Sequence, residues 1–140
     1  MNFYPFITVA AADSKIGEND DIDFICTGRN DELTINKAIN LAAKEGKGVY
    51  LLNGLYHVDA FYDFGDGGPL AAIWSPALYK EITIIGQSYS FEPNREGVQI
   101  DVSEEALNMI GEGEYSVFRT GFYRHISDCK PVVHTKRGNT

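Results

Sequence analysis

The stretch from Asp31 to Tyr56, DELTINKAINLAAKEGKGVYLLNGLY, narrows the possible folds more than any other part of the chain. Ile35, Ala38, Ile39 and Ala42 fall at i, i+3, i+4 and i+7, which makes one apolar stripe on an amphipathic helix. Asn36, Lys37, Asn40 and Lys44 lie off that stripe and are expected to face water. Asn30 or Asp31 is placed to cap the first turn by accepting a backbone N–H. Asp31 and Glu32 suit the positive end of the helix dipole, and Lys44 and Lys47 the negative end. Gly46 and Gly48 are natural stop positions. A helix of about 14 residues is not stable alone, so its stripe must cover other chain. Val49 to Leu52 has the length and apolarity of a strand, and Tyr50 and Leu52 interrupt its alternation, as expected of a strand covered on both sides. Asn53-Gly54 is a strong turn pair, and Leu55 to Val58 resumes extended character.

Shorter elements surround this stretch. FITVAA, within Asn2 to Ala12, reads as a first strand after Pro5. Asp13 to Asp23 reads as a solvated acidic loop. Asp59 to Leu70, with Gly65, Gly67, Gly68 and Pro69, is irregular and aromatic. Ala71 to Ala77 has room for a short strand or helical turn before Pro76. Ile82 to Ile85 is a strand closed by Gly86. Val98, Ile100 and Val102 alternate with polar residues, as in a half-buried strand. Ser103 can cap a short helix over Glu104 to Ile110, and Tyr115 to Phe118 is a further strand. Phe122 to Ile126 is a candidate for one more. One helix and several glycine-closed strands lack the crossover helices of a doubly wound sheet. They suggest successive rungs of a solenoid, with a β-sandwich or roll as the competing fold. Residues 1–128 are expected to form one domain, with its helix near 31–45, and 129–140 a basic tail.

Charge bounds the partners. The chain has 140 residues, with 20 Asp and Glu against 12 Lys and Arg, a net charge of -8. Nucleic-acid binding needs clustered cations to neutralise phosphates, so none is expected. No apolar stretch approaches the roughly 20 residues of a membrane span, so no membrane partner is expected either. Phe3 to Ala12 has no basic leader and is not read as a signal peptide. Cys26 and Cys129 have no framework spacing, which favours two free buried thiols over a bridge.

Candidate chemistry is sparse. His57 and Asp59, at i and i+2 on a strand, would point the same way and share a proton or an ion. Asp63 and Asp66 follow in the glycine-rich loop, and with Asp101 they are the carboxylates available for sugar hydrolysis across a groove. His125 with Asp128 is a weaker pair, and His134 lies in the tail. Lys80, Arg95, Arg119 and Arg124 are available long bases, none distinguished by its setting. Tyr62, Phe64 and Trp74 are candidates for an aromatic sugar-binding platform. The aspartates between Asp13 and Asp23 lack the glycine and glutamate positions of an EF-hand, so no metal site is assigned and calcium stays a bare possibility as cofactor. There is no phosphate loop, zinc-protease motif or nucleophile elbow.

Several of these segments resemble the opening of single-stranded right-handed parallel β-helix proteins, the pectate-lyase-like family. The resemblance rests on Cys26-Thr27-Gly28 with Asn30-Asp31-Glu32, the Ile35 to Ile39 helix core, Gly48 to Leu52, and Gly54-Leu55-Tyr56. Ile82 to Gly86 resembles the next rung. It implies a mainly β fold, a short right-handed parallel β-helix with an N-terminal capping α-helix. It also implies a structural or carbohydrate-binding segment of a surface, secreted or tailspike-like protein, outside the cell or on a cell or virion surface. A polysaccharide would be its partner, and self-association or further chain would cover the last coil. The alternative is a polysaccharide lyase or glycoside hydrolase, whole or truncated. No catalytic residue of that family maps onto this chain.

Overall fold

The computed structural model describes residues 5–65, 69–74, 82–88, 97–111 and 113–119. The chain enters through β1 (Phe6–Ala10), makes a long loop to the two-residue β2 (Phe24–Ile25), and turns into helix α1 (Asp31–Glu45). Strands β3 (Gly48–Leu51), β4 (Gly54–Val58) and β5 (Leu70–Ile73) follow. A second run of strands, β6 (Ile84–Gly86), β7 (Val98–Val102) and β8 (Tyr115–Phe118), comes after them, with helix α2 (Glu104–Ile110) between β7 and β8.

All the pairings between these strands are parallel. One sheet has the order β2-β1-β3-β6, a second joins β4 to β7, and a third joins β5 to β8. The second run therefore lies against the first in the same order, strand for strand.

The mainly β, right-handed parallel β-helix expected from the sequence is corrected by this arrangement. The described residues form a mixed α/β structure whose short parallel strands are divided among three small sheets, two of them only two strands wide. Part of the reason lies in α1. Rather than covering only an open end, the helix packs against β1, β2, β3, β4 and β5. Its stripe, Ile35, Ala38, Ile39 and Ala42, is fully buried in one cluster with Ile7, Val9, Val49, Val58 and Ile73. Burying each isoleucine contributes about 2–3 kcal/mol, so the helix is a layer of the core.

The polar residues of α1 also depart from expectation. Asn30 occupies the N-cap position in a left-handed conformation (φ 53°) and makes no side-chain cap. Asn36, expected to face water, bridges to β5: its Nδ2 donates to the Ala72 carbonyl at 3.0 Å and its Oδ1 accepts the Trp74 N–H at 3.0 Å. Gly46 closes the helix at φ 70°, and Ser103 caps α2 by accepting the Ala106 N–H.

Asn53-Gly54 makes a corner between two sheets. Ser14 Oγ donates to the Asn53 carbonyl at 2.6 Å, and Asp13 Oδ1 accepts the Leu55 N–H at 2.9 Å. A Cβ on Gly54 (φ 150°) would lie 2.6 Å from Ala11 Cβ, so the corner requires glycine. Asn53 Oδ1 in turn accepts from Ser88 N–H and Oγ, and Asn53 N–H donates to Gln87 Oε1. Side chains thus tie this corner to the stretch that follows β6.

Candidate functional site

Two surfaces bring polar or aromatic side chains together. The first is the outer face of the β4–β7 pair. The register sets His57 opposite Asp101, with Nδ1 3.7 Å from Oδ2. The Asp101 side chain is 61% exposed, so solvent screens the pair. Asp59 lies just past β4, and its Oδ2 accepts the Asn30 N–H at 2.6 Å. His57 thus meets Asp101 across the strands, whereas Asp59 holds the turn before α1. Asp63 is exposed, and its Oδ1 accepts the Gly65 N–H in its own turn. Asp66, His125, Asp128, His134, Lys80, Arg95, Arg124 and Cys129 lie outside the described residues, as do the proposed strand 122–126 and the tail 129–140. Among the described residues, no three of His, Cys, Asp and Glu converge to hold a metal ion.

The Tyr62, Phe64 and Trp74 rings do assemble, into a packed cluster. Phe64 meets Trp74 edge-on at 4.8 Å and Tyr62 at 6.2 Å. Arg119 lies over the Trp74 ring at 4.5 Å and donates to the Pro69 carbonyl at 2.9 Å. Trp74 is only 3% exposed, so its ring is part of the interior, and the Arg119 guanidinium is buried with it.

Beneath both groups lie the two carboxylates that the sequence pattern places at the positive end of the helix dipole. Asp31 and Glu32 are fully buried. Asp31 accepts the Gly28 and His57 N–H groups at 3.0 and 2.8 Å. Glu32 accepts the Asp59 N–H at 3.0 Å and the Tyr62 hydroxyl at 2.6 Å. Burial raises the Tyr62 hydroxyl pKa, and the hydrogen bond to Glu32 raises it further. Cys26, a free buried thiol, is pushed up to about 12 by burial and then by the Asp31 charge. Burial also raises the pKa of Tyr56, whose hydroxyl meets the Leu52 and Val9 carbonyls at 2.6 and 3.1 Å. Asp31, Glu32 and the Tyr56 and Tyr62 hydroxyls thus pin the fold through their hydrogen bonds, and burial holds the Cys26 thiol and the two tyrosine hydroxyls in their neutral forms.

The second surface is a groove of about 330 Å³ on the outer face of the first sheet. Ile7, Val9 and Val49 point into the core, so Phe6, Thr8 and Tyr50 point out. Thr8 pairs with Tyr50, and Tyr50 with Ile85, which lines these side chains up across three strands. The Phe6 and Tyr50 ring centroids are 6.2 Å apart. Gly48 makes the space: a Cβ there would stand 2.9 Å from the Phe6 ring and 2.7 Å from the Thr83 carbonyl oxygen. Asn19, Asp20, Asp21 and Ile22 form the opposite wall. That loop is fixed by aspartate side chains. Asp20 Oδ2 accepts the Gly17 N–H at 2.6 Å, and Asp23 Oδ2 accepts the Thr8 N–H at 2.8 Å while Asp23 N–H donates to the Thr8 carbonyl.

Sequence reasoning missed this groove. Its one local signal is an outward aromatic, Tyr50, in a strand that otherwise reads as buried. Comparison with protein-family models, curated proteins and solved structures returns no match for this chain.

Proposed function

We propose that this chain is a non-catalytic, saccharide-binding structural unit of a surface or secreted protein, and that it holds a polysaccharide in the groove over the first sheet. The observation that carries this reading is the groove's lining. Phe6 and Tyr50 supply ring faces for the C–H faces of a sugar, and Asn19, Asp20 and Asp21 supply acceptors for its hydroxyls. The size is in the range of small-molecule sites, and the mixture of apolar floor and few polar groups is typical of them.

The test is an NMR titration of the labelled chain with a panel of neutral, cationic and anionic oligosaccharides. Binding should shift the amide signals of Tyr50, Ile22 and Ile85, and Tyr50→Ala should weaken it at least tenfold without changing the fold. A titration in which no sugar of the panel moves these signals removes the proposal. Among the described residues, the enzymatic reading, a lyase or glycoside hydrolase, draws on the His57–Asp101 pair. Release of new reducing or unsaturated ends, abolished by His57→Ala, would favour it instead.

A further inference from the structure

The groove's walls differ in charge as well as in polarity. Asp20 and Asp21 stand on the loop wall, and among the described residues that line the groove there is no Lys, Arg or His. Asp20 spends Oδ2 on the Gly17 N–H, and no described contact engages its Oδ1. Both aspartates are exposed at the groove's mouth, where they can meet a ligand without a large desolvation cost. The whole chain carries a net charge of -8, so the long-range field has the same sign as the local one. A polyuronate would enter against that field and find no cation for its carboxylates among the described lining residues.

We infer that the sugar held in this groove is a cationic amino sugar, a glycan with free ammonium groups such as a β-linked glucosamine oligomer. The inference rests on the saccharide-binding reading above and specifies its ligand. Ring stacking on Phe6 and Tyr50 serves any pyranose with an exposed C–H face and gives the site its hold. The carboxylates then discriminate, because an ammonium on the sugar gains a charge-assisted partner that an N-acetyl group does not. Such exposed pairs are screened by salt, so the preference must shrink as ionic strength rises.

The test compares three tetrasaccharides on the full chain by NMR titration: glucosamine, N-acetylglucosamine and galacturonate. The glucosamine oligomer should bind tightest, by about fivefold over the N-acetylated one at low salt. The gap should close at high salt. D20N/D21N retains a side-chain amide oxygen to accept the Gly17 N–H and should erase the gap by lowering the glucosamine oligomer's affinity by more than the N-acetylated one's. Equal affinities for the two amino-sugar forms, or tighter galacturonate binding, would overturn the charge inference and leave saccharide binding standing, with Tyr50→Ala still disruptive. No shift with any of the three, against shifts with a peptide of residues 129–140, would assign the groove to the chain's own basic end and overturn both.

Discussion

Asp31 and Glu32 stand side by side at the start of α1, fully buried, each accepting two hydrogen bonds from the β4 region or the turns beside it. Removing an acceptor leaves its donors unpaired in a dry site, which costs more than the hydrogen bond itself contributes. Glu32→Ala should therefore lower unfolding free energy by about 3 kcal/mol, and Glu32→Gln by about 1 kcal/mol, since the amide keeps one acceptor. Denaturant unfolding measures both. Similar small losses for the two variants would mean that water replaces the carboxylate. Cys26 gives a pH prediction. Its thiol ionises near 9.0 when unfolded and near 12 when folded, so above pH 9 the unfolded chain has lost a proton that the folded one keeps. The contribution of this group is complete below pH 9 and declines as pH rises toward 12, by at most about 1.4 kcal/mol per pH unit. Comparing the wild type with Cys26→Ala across that range isolates it, because the alanine variant should show a shallower decline. The two carboxylates were visible as residues and invisible as interior groups. Their acids suit a helix N-terminus, and only the tertiary approach of β4 tells a buried anchor from a solvated one.

At the level of elements, α1 was legible because its stripe has a fixed local period, and so was α2, where Ser103 caps the first turn. The corner at Asn53-Gly54 was legible as a turn. The sheets were not, since a parallel pair joins residues dozens of positions apart, such as Val49 with Ile84 and Gly54 with Val98. No local pattern reports that pairing. Nor did spacing reveal that His57 faces Asp101 instead of sharing a site with Asp59. Gly48 shows how an element builds the groove. A methyl group there would press on both the Phe6 ring and the Thr83 carbonyl. Gly48→Ala should cost about 1–3 kcal/mol and displace the Phe6 ring. Saccharide affinity should fall with it, while Asp101→Asn, on the other surface, should leave affinity unchanged and stability within about 0.5 kcal/mol. Calorimetry and the same titration would show this, and loss of binding in Asp101→Asn would move the site to the other face.

Among the described residues, one buried cluster takes members from β1, α1, β3, β4, β5, α2 and β8. No described layer has a core of its own. Unfolding should therefore be a single transition, with Trp74 fluorescence and far-UV circular dichroism giving coincident denaturant midpoints. Separate midpoints would show that the two strand runs are held independently. Refolding should be slow for this length, on the order of milliseconds to seconds, because the strand pairs close long loops. No helix among the described residues is long and apolar enough to cross a membrane.

The parallel stacking of the second strand run on the first has a consequence for how such a chain can change over evolution. Hairpins fix the register of both strands through the length of their turn. Here β3, β4 and β5 take their register from β6, β7 and β8 in the other run, not from a tight turn. The described residues between β4 and β5 include no helix, and Tyr62 among them bridges to Ala71, whereas the corresponding link from β7 to β8 contains α2, yet both end in strands that pair in register. Lengthening a flexible link costs only about 0.6 kcal/mol per doubling. In the β4–β5 link Phe61, in the core, and Tyr62, bound to Glu32 and Ala71, must keep their places, so new surface chemistry can be tried only at exposed positions such as Asp63 and Gly65 while the strands and their core stay fixed.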